Sequence, residues 1–303
     1  MDSAAPGGQK GAWNPGGKSV RGPALMFGAI LLFGVLDANS KLLADHHAMA
    51  QVLLVRFVVL LVLVLLLLPL APRLMGRLST RHPWLNAGRA LAMLGSASFF
   101  FLAFRDLPLV EGYLVFFTAP LIVLLASALF LRERVSPLAW VWCAVGFGGV
   151  AMALAPGFAS GLGSGPLSGY LYALCGTGTY SAVFILNRQL RDEPGIARVL
   201  FWPALLGLLV MTPFGIAEWQ PPTAMGWAQM IAAGMTVAAA TVMIAEAFRH
   251  APAARLAPIS YTGIIWSVAF DALFWGHAPA LVTLAGAGLV VLACVMSERA
   301  ARR

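Results

Sequence analysis

The sequence predicts an all-α integral membrane protein with ten transmembrane helices, and three observations support this class. Hydrophobic residues make up 60% of the 303 residues and charged residues only 11%, whereas a soluble domain carries about 25% charged residues. The apolar residues come in blocks of about 20, the helix length that crosses about 30 Å of hydrocarbon. The blocks do not alternate over segments of about 10 residues, as membrane β-barrel strands do.

Each of ten apolar blocks is predicted to be one spanning helix. The blocks cover residues 23–44, 49–70, 84–104, 109–131, 137–155, 166–188, 197–217, 224–247, 255–275 and 279–297. Pro23, Pro137 and Pro166 stand at block starts, where proline is favoured in the first turn of a helix. Short polar or Pro/Gly stretches separate the blocks, as connections between spans require.

The first 21 residues are Gly-rich, basic and without periodicity, which predicts a disordered cytoplasmic tail. The block that follows has the basic flank of a signal peptide. It also carries Asp37 and Lys41, and nine more blocks follow it. We therefore expect it to be retained as the first span.

The distribution of Lys and Arg predicts that both termini are cytoplasmic in a bacterial inner membrane. With the N-terminus inside, sixteen of the 20 basic residues fall in inside segments and only Arg105 falls in an outside loop. The other three, Lys41, Arg56 and Arg89, lie within spans. Inside loops of membrane proteins are enriched in Lys and Arg. The net charge of +8 then faces anionic membrane lipid, and no nucleic-acid partner is expected.

The chain repeats itself weakly. AFRDLP at 103–108 returns as AFRHAP at 247–252, 144 positions later. Phe117-Thr118 matches Tyr261-Thr262 in the same register, and Gly22-Pro23 matches Gly165-Pro166 at a shift of 143. The alternative is that apolar helices resemble one another by composition alone.

The repeat predicts two five-helix units, residues 22–155 and 166–303, joined by a linker at 156–165. Because five is an odd number, the second unit must enter the membrane from the opposite side. Two inverted repeats around a central cavity are the architecture of many secondary transporters.

Several motifs carry a resemblance to a known family. NSKLL ends the first span with Lys41, VRFVVLL places Arg56-Phe57 early in the second, and the fourth span contains Pro120 and ends at Glu133. With ten spans in two halves, residues 22–298 resemble the EamA-type exporters of the drug/metabolite transporter superfamily, and most of all the bacterial aromatic amino acid exporters. His277 stands where such proteins often carry a second acid at the end of the ninth span.

The resemblance implies a solute exporter that works by alternating access. It implies a cavity lined mainly by the first, third, fourth, sixth, eighth and ninth helices. Mixed-sign charges beside aromatic walls would suit zwitterionic, partly apolar solutes such as aromatic amino acids, methionine or threonine. The alternatives are an exporter of drugs or other metabolites of the same superfamily and a membrane-embedded enzyme. The scattered acids and short loops disfavour the enzyme.

Charged residues inside spans are the first candidates for substrate binding or gating, because charges in hydrocarbon are costly and face a wet interior by default. Asp37 and Lys41 lie four residues apart on one helix face, and Arg56 enters to a similar depth. Asp37–Arg56 is predicted as a structural ion pair or a functional one. Asp271 in the ninth span has no evident partner in the sequence, which makes it a candidate for proton coupling or amine binding.

The remaining candidates have a simpler interpretation beside the functional one. Lys41 and Arg89 stand near enough to the membrane surface to extend their charged ends to it. Phe99, Tyr180 and Trp266 are mid-span aromatic residues that fit the wall of a pocket for an apolar metabolite. The predicted hinges are prolines and glycines within spans, where helices bend or pack closely: Gly34, Pro120, Gly176, Gly178 and Pro258.

No cofactor or metal site is expected. GAWNPGGKS in the tail has Ala12 where a phosphate-binding loop needs glycine. His46-His47 lacks the partners of a zinc site. The partners predicted are a small-molecule substrate and membrane lipid. The sequence leaves the oligomeric state open between a monomer and a dimer.

Overall fold

The computed structural model describes residues 20–123, 137–159, 166–190, 195–251, 256, 259–276 and 280–301. The elements of this part are eleven helices: α1 (Arg21–Ala44), α2 (Met49–Leu70), α3 (Pro72–Met75), α4 (Pro83–Asp106), α5 (Leu109–Phe116), α6 (Pro137–Ala159), α7 (Leu167–Gln189), α8 (Ile196–Ala217), α9 (Ala224–His250), α10 (Gly263–Trp275) and α11 (Leu281–Ala301).

The helices have the lengths and apolar surfaces expected of membrane spans. Six of them, α1, α2, α4, α7, α8 and α9, are long and apolar enough to cross a membrane. Shorter apolar helices occupy Leu109–Val123, Trp140–Met152, Gly263–Trp275 and Leu281–Ala293. Large apolar side chains such as Leu66 and Leu209 are exposed on the outer surface, as lipid-facing residues are. The predicted all-helical membrane class is confirmed.

Most of the main helix contacts recur when the two halves of the sequence are exchanged. In the 144-residue register, α1 corresponds to α7, α2 to α8, α4 to α9, α5 to α10, and α6 to α11. Three counterpart pairs pack directly on each other: α2 on α8, α5 on α10, and α6 on α11. Three further pairs of contacts are exchanged in the same way: α1–α9 with α4–α7, α2–α9 with α4–α8, and α1–α10 with α5–α7. The contact of α1 with α4 is the exception, because α7 and α9 do not pack on each other to a comparable extent.

Two helices are interrupted at corresponding positions. α5 ends at Phe116, and the chain turns at Phe117-Thr118 before residues 119–123 continue as helix. A matching turn at Tyr261-Thr262 precedes α10. The rings of Phe117 and Tyr261 contact each other, with 5.5 Å between their centroids. The two interruptions therefore meet between the halves.

The same hydrogen bonds occur in both turns. The backbone N–H and Oγ1 of Thr118 donate to the carbonyl of Val115 at 3.0 and 2.7 Å. Those of Thr262 donate to the carbonyl of Ile259 at 3.0 and 2.7 Å. Threonine hydroxyls also bind local carbonyls within the unbroken helix α7, as Thr179 does, so these bonds are shared features of the two turns and not their cause.

The glycines predicted as hinges lie within unbroken helices. α1 runs through Gly34, and α7 runs through Gly176 and Gly178. A Cβ atom at Gly34 would lie 3.0 Å from the ring of Phe270, and one at Gly176 would lie 3.0 Å from the ring of Phe100. These two glycines provide close packing in this structure, so the interruption expected there is not seen.

The proline hinges have a mixed outcome. Pro120 lies just after the turn at residues 117–118, and it has no N–H to bond the carbonyl of Phe116 as a regular helix would. Pro120 therefore lies beside the interruption of this helix. Pro258 lies outside the described residues.

Candidate functional site

One face of α1 contacts α2 and α5 through polar side chains. Asp37, Ser40 and Lys41 stand at positions i, i+3 and i+4, which project from one side of a helix. The Asp37 carboxylate accepts a hydrogen bond from the Tyr113 hydroxyl of α5 at 2.6 Å. Ser40 Oγ accepts one from the Arg56 guanidinium of α2 at 2.8 Å. This face of α1 therefore joins α2 and α5 at the same level.

The predicted Asp37–Arg56 pair is replaced by an indirect arrangement. Within the described part of the chain the two side chains form no direct ion pair, although their charges interact. Each has a neutral hydroxyl as its hydrogen-bond partner instead. Arg56 is 6% exposed, and its Nε is buried without a hydrogen-bond partner. The guanidinium thus keeps unused donor capacity next to a carboxylate.

Asp271 was expected to lack a local partner, and the structure corrects this. Its carboxylate, 0% exposed, accepts hydrogen bonds from the backbone N–H groups of Leu109 at 3.0 Å and Val110 at 2.8 Å. These are the first amides of α5. Such amides have no partner inside their own helix, so a side-chain carboxylate from α10 satisfies them.

Lys41 was expected to extend to the membrane surface as one alternative, and it turns inward. Its Nζ donates to the carbonyl of Leu107 at 2.6 Å and lies 3.9 Å from the Asp271 carboxylate. It also stands 4.7 Å from the centroid of the Trp275 ring, within reach of a cation–π attraction. Lys41 and Asp271 together hold the α4–α5 turn between α1 and α10.

Arg89 also turns inward, at the opposite end of α4. It is 3% exposed and donates to Asn86 Oδ1 at 3.0 Å, Asn187 Oδ1 at 3.3 Å and the carbonyl of Arg198 at 3.0 Å. These contacts connect α4 to α7 and α8. The surface position expected for Arg89 is therefore wrong, and its direct contacts are with neutral acceptors.

Aromatic rings extend from the charged residues across the bundle. Phe116 contacts both Tyr113, at 6.1 Å between centroids, and Tyr180, at 4.9 Å. Tyr180 and Phe99 are half-buried. The ring of Tyr113 also lies 5.9 Å from Phe104.

A second aromatic group packs against α1 at Gly34, one turn before Asp37. Trp266 packs on Phe27 at 5.5 Å and on Phe270 at 6.3 Å, and its Nε1 is buried without a partner. Phe270 also borders a mainly apolar cavity of about 380 Å³ between α1, α9 and α10. Asn39 borders the same cavity, and its side-chain amide donates to the carbonyl of Gln229 at 2.8 Å.

Sequence reasoning missed three components of this site. Tyr113 carries no charge, and its only signal was its position one turn before the repeated Phe117-Thr118. Ser40 gave no signal beyond its place between Asp37 and Lys41. The amides of Leu109 and Val110 are backbone groups, which a sequence shows only as the start of a helix. Among the described residues no three His, Cys, Asp or Glu side chains gather as metal ligands.

Buried charges, aromatic walls and helices interrupted at matching positions define the class of a membrane transport protein. The chain belongs to the EamA-like transporter family, which matches residues 20–155 and 167–298 as two copies. The resemblance noted from the sequence is thereby confirmed. The chain is a multi-pass membrane protein, and its family is one of transporters.

Relatives with named cargo are similar over most of their length. The chain is 28% identical to the pseudopaline exporter of Pseudomonas aeruginosa (strain UCBPP-PA14) over 66% of this chain and 69% of the relative. It is 29% identical to a riboflavin transporter of Rhizobium johnstonii, over 77% and 76%. It is 24% identical to an S-adenosylmethionine uptake transporter of Rickettsia conorii, over 74% and 76%.

A solved structure supports the fold. One crystal structure superimposes with a TM-score of 0.65 at 21% identity, covering 93% of this chain and 98% of that chain. At this identity the likeness extends to the fold alone. The three relatives move small molecules of different kinds, so a small-molecule substrate is the shared property.

Proposed function

We propose that this protein exports small metabolites across the bacterial inner membrane by alternating access, and that amino acids are its cargo. Aromatic amino acids, methionine and threonine are the favoured substrates. The observation that carries the proposal is the pairing of Asp37 with Tyr113 and of Arg56 with Ser40. Two opposite charges at one level of the bundle are held by neutral hydroxyls instead of by each other.

Neutral partners make these charges available to a zwitterion. A hydrogen bond between a charged group and a hydroxyl is weaker than one between two charged groups. An amino acid that offers its ammonium to Asp37 and its carboxylate to Arg56 would exchange two weaker bonds for two stronger ones. In this account Tyr180, Phe99 and Trp266 contribute the apolar wall that contacts the side chain of the cargo.

In this proposal the protein has ten spans in two inverted repeats, residues 22–155 and 166–303. A linker at 156–165 joins the repeats, and a cytoplasmic tail at 1–21 precedes them. This architecture is supported by the main helix contacts that recur when the halves are exchanged and by the matching turns at Thr118 and Thr262. Interrupted helices at corresponding positions of two halves mark the transport site in many transporters. The two turns meet beside Tyr113, and we propose that the cargo binds at the same level.

The two remaining charged candidates act as gates in this account. The Lys41–Asp271 contact joins α1 to α10 at the α4–α5 turn, the end that faces outside when both termini are cytoplasmic. Arg89 joins α4, α7 and α8 at the inside end. Opening to either side requires one of these two contacts to separate. The excess of Lys and Arg in inside segments supports this orientation.

Reporter fusions test the orientation separately from the cargo. A reporter joined after His47 is expected to lie outside, and one joined after Arg77 inside. The reverse result for both fusions would invert the assignment of the two gates.

A drug or general metabolite exporter is the second candidate. It is favoured by the apolar cavity between α1, α9 and α10, which accepts cargo without charged groups. The named cargo of the relatives also differs from one to another. Direct comparison of substrates distinguishes the two candidates.

The deciding experiment is uptake into proteoliposomes. Labelled phenylalanine, tryptophan, methionine, threonine and a monoamine are tested with and without a pH gradient, beside the Asp271→Asn variant. Saturable amino acid uptake is expected. If uptake requires the pH gradient and is lost in Asp271→Asn, the protein is proton-coupled. If uptake occurs without a gradient, the protein is a facilitator. Uptake of none of the five compounds would overturn the amino acid assignment.

A further inference from the structure

The amino end of α5 holds a carboxylate that belongs to the protein itself. One oxygen of Asp271 accepts from the N–H of Leu109 at 3.0 Å and the other from the N–H of Val110 at 2.8 Å. The two amides lie in the first half of the chain and the carboxylate lies in the second half, 162 residues from Leu109. A carboxylate from elsewhere in the molecule thus occupies the end of this helix.

Lys41 completes the surroundings of this carboxylate. Its Nζ is 3.9 Å from Asp271 Oδ1, and the whole residue is only 9% exposed. Two helix-end amides and an ammonium are the donors from which anion sites in proteins are built. The ring of Trp275 covers Lys41 from another side.

We propose that the amides of Leu109 and Val110 together with Lys41 form a carboxylate-binding site, and that Asp271 is its internal occupant in the closed state. The ligand is a small organic carboxylate, which includes the carboxylate end of the cargo as it leaves on the outer side. The inference rests on the proposed function, because the site empties only when α10 moves away from α5. It adds the chemical group that the outer gate recognises.

A hydrogen bond of Lys41 explains why the proposed site stays assembled when α10 moves away from α5. Lys41 donates to the carbonyl of Leu107 at 2.6 Å, two residues before Leu109, so α1 and the α4–α5 turn stay joined without Asp271. When α10 withdraws, the amides of Leu109 and Val110 lose their acceptor, and the Lys41 ammonium beside them loses the charge of Asp271. Buried donors without partners are unfavourable, so an anion that takes the place of Asp271 favours the open state.

Glu111, the acid within α5 itself, already has a hydrogen-bond partner on another helix. Glu111 accepts a hydrogen bond from the Tyr170 hydroxyl of α7 at 2.5 Å. It is held towards α7, whereas Asp271 approaches the helix end from α10. An external carboxylate therefore competes with Asp271 for the donors.

Rescue by acetate tests this site without any transport measurement. The apparent melting temperature of purified full-length Asp271→Ala is measured against potassium acetate, with potassium chloride holding the ionic strength constant. We expect a saturable rise with acetate in Asp271→Ala and a much smaller one in the wild type. The rise should disappear in the double variant Lys41→Met/Asp271→Ala, which lacks the ammonium.

Equal acetate responses in the wild type and Asp271→Ala, or no response in Asp271→Ala, would overturn the inference. If Asp271→Ala is recovered folded only when acetate is present during purification, that recovery supports the site. If it is recovered in neither condition, Asp271→Asn serves in its place, because one of its acceptor oxygens is retained. It should show a weaker rise with acetate, and no rise would contradict the proposal.

The outcome is independent of the cargo assignment. Acetate rescue together with no amino acid uptake would leave the carboxylate site standing and remove the proposed cargo. Amino acid uptake without acetate rescue would do the reverse.

Discussion

Phe117 and Tyr261 stand 144 positions apart in the sequence, and their rings contact each other with centroids 5.5 Å apart. Each is followed by a threonine whose hydroxyl donates to the carbonyl three residues earlier. Residues that correspond in two related halves and touch each other must lie beside the axis that relates the halves. The proposed two-fold axis therefore passes between these rings, next to Tyr113 and its hydrogen bond to Asp37.

Gly34 of α1 and Gly178 of α7 are matched in the 144-residue register, and replacing each by alanine should change the stability of the protein in opposite directions. Gly34→Ala places a Cβ atom 3.0 Å from Phe270 and 3.2 Å from Trp266, so we expect a loss of about 1–3 kcal/mol from overpacking. Gly178→Ala meets nothing within 4 Å and should gain about 0.5–1 kcal/mol from helix propensity. Thermal unfolding in detergent measures both. Destabilisation of the same size in both variants would contradict the packing assigned to Gly34.

The contact between Lys41 and Asp271 should be visible as a coupling free energy. Asp271→Asn removes a charge that two amides and an ammonium share, and we expect it to cost about 1–3 kcal/mol. Lys41→Met should cost less in the Asp271→Asn background than in the wild type, since the two residues are in contact. A double-mutant cycle on unfolding free energy gives the coupling. Glu246→Gln is the control, because the Glu246–Arg249 pair lies at the surface and should matter by less than about 1 kcal/mol.

Arg89 should behave as a buried connector of three helices. Arg89→Gln leaves acceptors on α4, α7 and α8 without their guanidinium partner, and we expect a loss of about 2–4 kcal/mol, since three hydrogen bonds are affected. Arg249→Gln, at an exposed position on α9, is the matched control and should be close to neutral. The two variants are compared by the concentration of a denaturing detergent at which each is half unfolded. A neutral Arg89→Gln would indicate that the connections of Arg89 do not support the fold.

Asp37 and Tyr113 should affect transport more than folding. We expect Asp37→Asn to abolish amino acid uptake, because the amide no longer offers a negative charge to the ammonium of the cargo. Tyr113→Phe should preserve uptake but change the KM, since it removes only the hydroxyl that holds Asp37. Uptake kinetics in proteoliposomes distinguish these outcomes, and melting temperatures verify folding. Tyr170→Phe removes a comparable hydroxyl next to Glu111 and serves as the control.

Sequence reasoning found the helices well and their interruptions poorly. Spans are recognisable because the thickness of the bilayer fixes their length, and the described helices begin and end within a few residues of the predicted limits for most blocks. A hinge was predicted at Pro120, and the turn lies two residues earlier, at Phe117-Thr118. The interruptions predicted at the glycines of α1 and α7 are not seen, because a glycine that allows close packing looks in the sequence like one that bends a helix.

The polar contacts were predictable only in part. Asp37, Lys41, Arg56 and Asp271 were identified because charges inside spans are rare. Their partners were not identified, because the acceptors and donors that satisfy them include backbone groups and hydroxyls from distant helices. Asp271 is the clearest example, since its two partners are amides that no side-chain pattern reveals.

Counterflow is the most direct test of the central claim that this chain moves amino acids by alternating access. Proteoliposomes are loaded with unlabelled phenylalanine, and the entry of labelled phenylalanine is followed over time. The account predicts a transient accumulation of label above the equilibrium level for the wild type and none for folded Asp37→Asn. A wild-type protein that shows no accumulation, or an Asp37→Asn variant that matches it, would contradict the account.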